Sequence, residues 1–217
     1  MSFDALAPHY RWLEWVLAGE KLQRCRTAFL ESARPPNRVL LAGEGHGRFL
    51  SECRRQWPRA RITCLDASAR MLHQARRRLI EHCLSCEALD FIHADVLDWT
   101  PVEAEFDLIV THFFLDCFPP SQLEGVVRRL ARAATPEARW WVADFQVPAA
   151  GPARWRAQLI HKAMYTFFRL ATRLPARQLT APDKFLQQEG FALQRRVLSE
   201  WGLLRADEWE RARGFSG

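Results

Sequence analysis

The sequence predicts an α/β fold in which a mostly parallel β-sheet carries helices on both faces and ends in an antiparallel strand. Short apolar runs alternate with helix-length amphipathic stretches, which is typical of parallel strands joined by helical crossovers. Two further apolar runs, at residues 191–198 and 201–205, are too close for a crossover. We therefore expect these last two strands to pair antiparallel.

The strands that precede this pair are predicted from five apolar runs, at residues 38–42, 61–66, 88–95, 106–114 and 138–145. Amphipathic spacing predicts helices between them, at residues 47–57, 68–84 and 120–134. Ser68 is a suitable N-cap for the second helix, and Pro119-Pro120 or Ser121 for the start of the third. Together with the final pair, the count of predicted strands is seven.

Two other segments are predicted to be helical. Residues 3–33 have apolar side chains at helical spacing and are followed by Pro35-Pro36. A basic amphipathic stretch at residues 153–174 precedes a short helix near residues 181–189. We expect residues 1–34 to form an N-terminal cap and residues 151–190 a helical lid insertion.

Length and composition predict one globular domain over residues 1–217. The chain is 48% hydrophobic and has nine tryptophans, which argues against disorder. Its net charge of +6 is modest, and the arginine runs are typical of solvated helix faces. A signal peptide and an apolar run of membrane-spanning length are absent from the sequence, so we expect a cytoplasmic protein, monomeric or homodimeric, with no nucleic-acid partner.

The strongest local signal is the stretch VLLAGEGHGRFL at residues 39–50, where Gly43, Gly45 and Gly47 lie between a predicted strand and a predicted helix. Glycine allows positive φ and lets backbone N–H groups approach a ligand. The dinucleotide fingerprint requires glycines at relative positions 1, 3 and 6, but position 6 is Arg48. A phosphate-binding loop would end in Gly-Lys-Ser/Thr, which is also absent here. A plain tight turn without a ligand is the alternative.

The glycine spacing resembles motif I of the class I S-adenosylmethionine (SAM) dependent methyltransferases, which have a Rossmann-like seven-stranded sheet. The opening FDALAPHYRWLEWV is similar to the start of the ubiquinone/menaquinone biosynthesis methyltransferases and their small-molecule relatives, and FDLIVTHFFLDCF occupies the usual motif IV position. The resemblance implies a methyl transfer that uses SAM and leaves S-adenosylhomocysteine, and we expect no metal site.

The resemblance also implies a set of cofactor contacts. Asp66 would bind the ribose hydroxyls, Met71 would contact the adenine and Asp95 would meet the adenine amino group. The complete expected set is Gly43, Glu44, Gly45, Gly47, Asp66, Ala67, Met71, Asp95, Val96 and Thr111. Helix capping is an alternative role for Asp66, and a solvated loop acid is an alternative for Asp95.

One departure from the family pattern concerns the methionine end of the cofactor. The family commonly has an acidic residue two positions before the first glycine, where this chain has Leu41. Glu44, between the glycines, is the predicted substitute that faces the ammonium group.

Residues near the carboxyl ends of strands four and five are candidates for the acceptor side. His112 and Asp116 are candidate catalytic groups, although His112 could equally be a satisfied core histidine and Asp116 a helix cap. We expect the acceptor to be a small apolar or aromatic molecule, in contact with Tyr10, Trp12, Phe113, Asp144 and Tyr165.

Two alternatives remain open at this stage. An RNA or protein methyltransferase would share the cofactor half of the chain and differ on the acceptor side. A non-catalytic SAM-binding or membrane-surface module would use the basic stretch at residues 153–174 for weak contact with an anionic bilayer.

Overall fold

The computed structural model describes residues 19–148, 155 and 180–212. Seven strands form one sheet in the order β3-β2-β1-β4-β5-β7-β6. β1 pairs in parallel with β2 and β4, whereas β7 runs antiparallel between β5 and β6. The predicted fold class is confirmed, including the antiparallel pairing of the last two strands.

The strands are β1 (Arg38–Ala42), β2 (Arg61–Asp66), β3 (Leu89–His93), β4 (Phe106–His112), β5 (Ala134–Phe145), β6 (Phe191–Ser199) and β7 (Leu204–Arg211). The helices are α1 (Gly19–Arg26), α2 (Arg48–Gln56), α3 (Ala69–Glu81), α4 (Pro120–Ala133) and α5 (Asp183–Gln188). A 3₁₀ turn, Leu115–Cys117, follows β4.

The core lies on both faces of the sheet because successive side chains of a strand point to opposite sides. In β1, Leu41 packs with residues of α1, α2 and α3, whereas Leu40 packs with residues of α4 and α5. In β5, Trp141 and Trp140 divide between the two faces in the same way. β1, β4 and β5 are therefore nearly continuous apolar runs, as expected of strands covered on both faces.

Three predicted boundaries are wrong. α1 ends at Arg26, and residues 27–32 form turns that bury the adjacent Phe29 and Leu30. β5 begins at Ala134, directly after α4, instead of at residue 138. β7 extends to Arg211, well beyond the predicted end at residue 205, because its charged side chains are buried against partners.

The predicted N-terminal cap and lid lie largely outside the described residues. Tyr10, Trp12 and Tyr165, expected to contact the acceptor, belong to these regions, as does most of the basic stretch at 153–174. Their roles stay predictions. Among the described residues, no helix is long and apolar enough to span a membrane.

Candidate functional site

The three glycines between β1 and α2 all have left-handed backbone conformations, but their surroundings differ. A Cβ on Gly43 would lie 2.0 Å from the Phe114 ring, and one on Gly47 would lie 2.7 Å from the Cα of Ala75 in α3. Gly43 and Gly47 therefore allow close packing within the protein. In the part of the chain that the structure describes, a Cβ on Gly45 would meet nothing within 4 Å. Gly45 therefore borders open space.

Asp66, the last residue of β2, lies against this loop. Its Oδ2 accepts a hydrogen bond from the Gly45 N–H at 3.1 Å, and its Oδ1 accepts one from the Ser68 N–H at 2.8 Å. Ser68, and not Asp66, is the N-cap of α3, because its hydroxyl accepts the Met71 N–H at 3.2 Å. The interpretation of Asp66 as the helix cap is therefore wrong.

Glu44 has a contact that the sequence did not predict. Its Oε1 accepts hydrogen bonds from the backbone N–H groups of Phe49 at 2.8 Å and Leu50 at 2.9 Å, in the first turn of α2. Burial raises the pKa of Glu44 to about 7, although these N–H donors and Arg26 act in the opposite direction. The carboxyl group thus titrates near neutral pH beside the glycine loop.

The residues expected to contact the adenine follow β2 and β3 at the same edge of the sheet. Met71 is buried in the first turn of α3, and the Ala67 carbonyl lies 3.1 Å from His93 Nε2. Asp95 is partly buried, and its Oδ1 accepts the Leu97 N–H at 2.9 Å. Val96 is buried in the same turn. The structure brings these residues to one edge, and their contacts with the cofactor stay predictions.

At the end of β4, the neighbouring residues Thr111 and His112 lie on opposite faces of the sheet. The Thr111 hydroxyl accepts a hydrogen bond from Trp140 Nε1 at 2.9 Å, and Thr111 is only 1% exposed. The hydroxyl is therefore enclosed in the core, and the expected contact of Thr111 with the cofactor stays a prediction. The His112 ring packs edge-on against Phe49, with 4.5 Å between ring centroids.

His112 is buried and uncharged. Burial, together with the positive charge of Arg26, lowers the pKa of His112 well below its usual range. Its Nδ1 has no hydrogen-bond partner among the described residues. The next residue, Phe113, has a φ of 53°, a strained conformation for an aromatic residue, and such strain clusters at functional sites. The carboxyl end of β4 therefore combines an unsatisfied polar atom with a strained backbone.

Two acids meet beyond the ends of β4 and β5. Asp116 lies in the 3₁₀ turn and Asp144 near the end of β5, and both residues are buried. Burial raises the pKa of Asp116 to about 6; burial and the charge of Asp116 raise that of Asp144 well above its usual value. Pro119, and not Asp116, is the N-cap of α4, so the capping interpretation of Asp116 is wrong.

A group of buried charges between α5, β6 and β7 was missed by sequence reasoning. Asp207 is fully buried and accepts hydrogen bonds from Arg196 Nε and Nη2, both at 2.7 Å. Arg205 donates to Asp183 at 2.7 Å and lies 3.5 Å from Asp207. The alternation of acids and arginines on the paired strands was the available signal. Across the described residues, no group of three or more His, Cys, Asp or Glu side chains is arranged to hold a metal ion.

Comparison with known proteins agrees with this geometry. Residues 39–137 match the family described as "Methyltransferase domain". The chain is 32% identical over 142 residues to a trans-aconitate 2-methyltransferase of Streptomyces avermitilis, an alignment that covers 59% of this chain and 50% of that protein. The chain spans between 23% and 50% of the length of the first curated relatives that it matches.

Solved structures support the same fold. The mitomycin 7-O-methyltransferase structure has a TM-score of 0.69 at 19% identity, with 98% of this chain and 61% of that chain covered. The magnesium protoporphyrin IX methyltransferase of Synechocystis PCC 6803, solved with bound SAH, has a TM-score of 0.65 at 19% identity, with 89% and 83% covered.

The strand order and the glycine loop define the class: this is a Rossmann-like methyltransferase fold. Together with the matching domain, they make the chain similar to the class I SAM-dependent methyltransferases.

Proposed function

We propose that this chain transfers a methyl group from SAM to a small-molecule acceptor, leaving S-adenosylhomocysteine. The observation that carries the proposal is the open space at Gly45, directly beside the Asp66 carboxylate and at the carboxyl edge of the sheet. Ligands of open α/β sheets bind at this edge.

The charges around the loop fit SAM better than a phosphate ligand. SAM carries a sulfonium and an ammonium group, and Glu44 and Asp66 place two acids at the loop. A carboxylate can accept up to about four hydrogen bonds, so Asp66 can hold the loop and also accept two ribose hydroxyls. The same acids would repel the phosphates of a dinucleotide.

The remaining cofactor contacts are assigned by position at this edge. Met71, Ala67 and Val96 would line the adenine, and Asp95 would accept a hydrogen bond from its amino group. Gly43 and Gly47 hold the loop in place through their packing against Phe114 and Ala75. Glu44 would face the ammonium group of the cofactor.

The chemistry needs mainly alignment, because bound SAM supplies an activated methyl group that an acceptor attacks in line. On the protein side, the carboxyl ends of β4 and β5 would position the acceptor and exclude water. The Phe113 and Phe145 rings pack 5.1 Å apart beside this edge, and Phe114 packs against Phe118 at the same distance. These rings favour an apolar or aromatic acceptor. His112 and Asp144 would contact it, and Asp116 would serve as the base.

Calorimetric titration with SAM and SAH tests the proposal. We expect Asp66→Ala to weaken binding by roughly 10- to 100-fold, since charge-assisted hydrogen bonds contribute about 1.5–3 kcal/mol. Asp66→Asn should lose less SAM affinity, because its amide oxygen can still accept a hydrogen bond. Asp90→Ala, at an exposed acid of β3, is the matched control and should bind as the wild type does. Failure of the wild type to bind either ligand, or wild-type affinity in Asp66→Ala, would remove the cofactor assignment.

A further inference from the structure

The turn between β6 and β7 lies at the carboxyl edge of the sheet, where the cofactor is proposed to bind. β7 is antiparallel to both β5 and β6, so β6 runs in the same direction as β5. β5 is parallel to β4, and β4 is parallel to β1. The turn that follows β6 is therefore at the same edge as the glycine loop that follows β1.

Three apolar side chains at this turn are exposed. Trp201 is 81% exposed, and Leu198 and Val197, near the end of β6, are 53% and 47% exposed. Leu198 and Val197 are neighbours in an edge strand, so they point to its opposite sides. These three residues, the hairpin patch, form a tip that is apolar on both sides. Clustered exposed apolar groups mark contact with a protein or a membrane.

The backbone of the turn is strained in a way that keeps the Trp201 indole exposed. Glu200, Trp201 and Gly202 have φ values of 52°, 62° and 78°, three left-handed residues in succession. Glycine adopts this conformation freely, but a bulky residue does so only with strain, and such strain clusters at functional sites. Because Trp201 is exposed, core packing does not offset the strain. Burial of the indole against a partner would offset it.

The ionic groups around the hairpin patch are paired. Glu200 forms an ion pair with Lys21, and the two arginines of β6 are paired with acids of β7. The patch itself is therefore apolar and close to neutral, and any attraction to a charged partner must come from the chain beside it.

The net charge of the protein is concentrated in one stretch of the sequence. Between Asp144 and Asp183 there are six Lys or Arg residues and no Asp or Glu. The whole chain has 31 basic and 25 acidic residues, so the rest of the chain has 25 of each. This basic stretch alone accounts for the net charge of +6.

Both ends of the basic stretch are attached close to the hairpin patch. Where it begins, the Gln146 N–H donates a hydrogen bond to the Leu203 carbonyl in the turn at 2.9 Å. Where it ends, Asp183 accepts a hydrogen bond from Arg205 of β7 at 2.7 Å. Trp155, within the stretch, is 77% exposed. A second exposed tryptophan and the positive charge thus belong to a stretch that starts and ends at these strands.

We infer that the hairpin patch binds the surface of an anionic lipid bilayer. The Trp201 indole would enter the interfacial layer, where tryptophan is favoured, and Val197 and Leu198 would reach the boundary of the acyl chains. The basic stretch would supply attraction to anionic headgroups.

The shape and chemistry of the patch favour a bilayer over the other anionic or apolar partners. RNA would be attracted by the same charge, but it is held by stacking on aromatic rings, and the aliphatic Val197 and Leu198 do not stack. A stable protein interface buries a broad surface on each partner, whereas this patch is a narrow tip with an apolar residue on either side. A tip of this kind suits insertion between lipid headgroups.

The membrane contact goes beyond the proposed function and does not depend on it. If both hold, the carboxyl edge of the sheet faces the bilayer, and an apolar acceptor can reach the site from the lipid.

Co-sedimentation of the whole chain with vesicles tests the inference. We expect binding to vesicles of equimolar phosphatidylglycerol and phosphatidylcholine, little binding to phosphatidylcholine alone, and weaker binding as the salt concentration rises. Trp201→Ala should lower the partition coefficient by about 10-fold, and Trp201→Phe by less. Ile80→Ala, which removes an exposed apolar side chain of α3, is the matched control and should bind as the wild type does.

Two further measurements guard against an effect on folding. Trp201→Ala should unfold at the wild-type temperature, since its side chain lies outside the core. Brominated phosphatidylcholine in the mixed vesicles should quench more tryptophan fluorescence in the wild type than in Trp201→Phe, because the difference reports the indole at position 201.

Absence of binding to the mixed vesicles would overturn the inference, as would equal binding by Trp201→Ala or equal quenching in the two proteins. Binding to poly(U) without binding to vesicles would also overturn it, and would assign the basic stretch to RNA. SAM titration of the same samples keeps the two proposals apart. Loss of SAM binding by the wild type would remove the proposed function and leave the membrane contact standing.

Discussion

The two halves of the sheet edge use their acids in opposite ways. In the β1–β2 half, Asp66 and Glu44 accept hydrogen bonds from backbone N–H groups of the glycine loop and of α2. In the β5–β7 half, Asp144 and Asp207 are almost fully buried and interact with other ionisable side chains. Acids of the first half hold the loop through backbone hydrogen bonds, whereas acids of the second half change the pKa values of their neighbours.

The difference has a physical origin. Backbone N–H groups are neutral donors that favour the charged form of an acid bound to them, although burial still raises the pKa of Glu44 to about 7. An acid buried beside other charges depends on them, and removing one partner leaves an uncompensated charge in a low-dielectric interior. Substitutions in the first half should therefore mainly affect binding, and those in the second half should affect stability or proton transfer.

The largest effect is expected for Asp207→Ala. It removes one of the two acids that Arg196 and the buried Arg205 share, and breaking a buried pair in this way costs about 3–5 kcal/mol. Urea denaturation would measure the free energy of unfolding. Asp90→Ala, which removes an exposed pair with Arg61, should cost at most about 1 kcal/mol. Equal losses of unfolding free energy in Asp207→Ala and Asp90→Ala would contradict the distinction between the two halves.

Next comes Gly47→Ala in the glycine loop. The new Cβ would clash with the Ala75 backbone at a φ of +80°, so we expect a loss of about 2–4 kcal/mol. Gly45→Ala should cost only about 1–2 kcal/mol for its positive φ, but should weaken SAM binding strongly. Thermal unfolding and SAM titration separate the two outcomes. Gly125→Ala in α4, where nothing is within 4 Å, is the control and should not destabilise.

A smaller effect is expected for Ser68→Ala at the start of α3. Loss of the hydroxyl that accepts the Met71 N–H should lower the free energy of unfolding by about 1 kcal/mol. Ser68→Asp retains an acceptor for the Met71 N–H and should keep most of the free energy of unfolding that Ser68→Ala loses. A loss above about 3 kcal/mol would mean that Ser68 has a larger role than capping.

The smallest effect is a pH dependence at Glu44. Its folded pKa is raised to about 7, so the ionised form prevails only above that pH. If the carboxylate faces the cofactor's ammonium group, SAM affinity should rise several-fold between pH 6 and 7.5 in the wild type and not in Glu44→Gln. The raised pKa also means that wild-type stability falls over the same interval relative to Glu44→Gln. Parallel affinity profiles in the two proteins would contradict the predicted ammonium contact.

Much of the fold and of the glycine loop could be predicted from local sequence. Alternating apolar runs and amphipathic helices indicate a parallel sheet, and the capping role of Ser68 follows from its position before α3. The glycines at 43, 45 and 47 indicate left-handed backbone, because only glycine adopts it without strain. These features depend on residues that are close together in the chain.

The other features depend on pairing between residues that are far apart in the chain. The pKa values of Asp116 and Asp144 are raised because the fold buries both residues at the ends of the neighbouring strands β4 and β5. The charged residues of β7 are buried because β6 brings Arg195 and Arg196 opposite them. The predicted last strand ended at residue 205, and its extension to Arg211 became visible only with its partners. Local propensity and periodicity are encoded residue by residue, whereas the energy of a buried charge depends on what the folded chain places beside it.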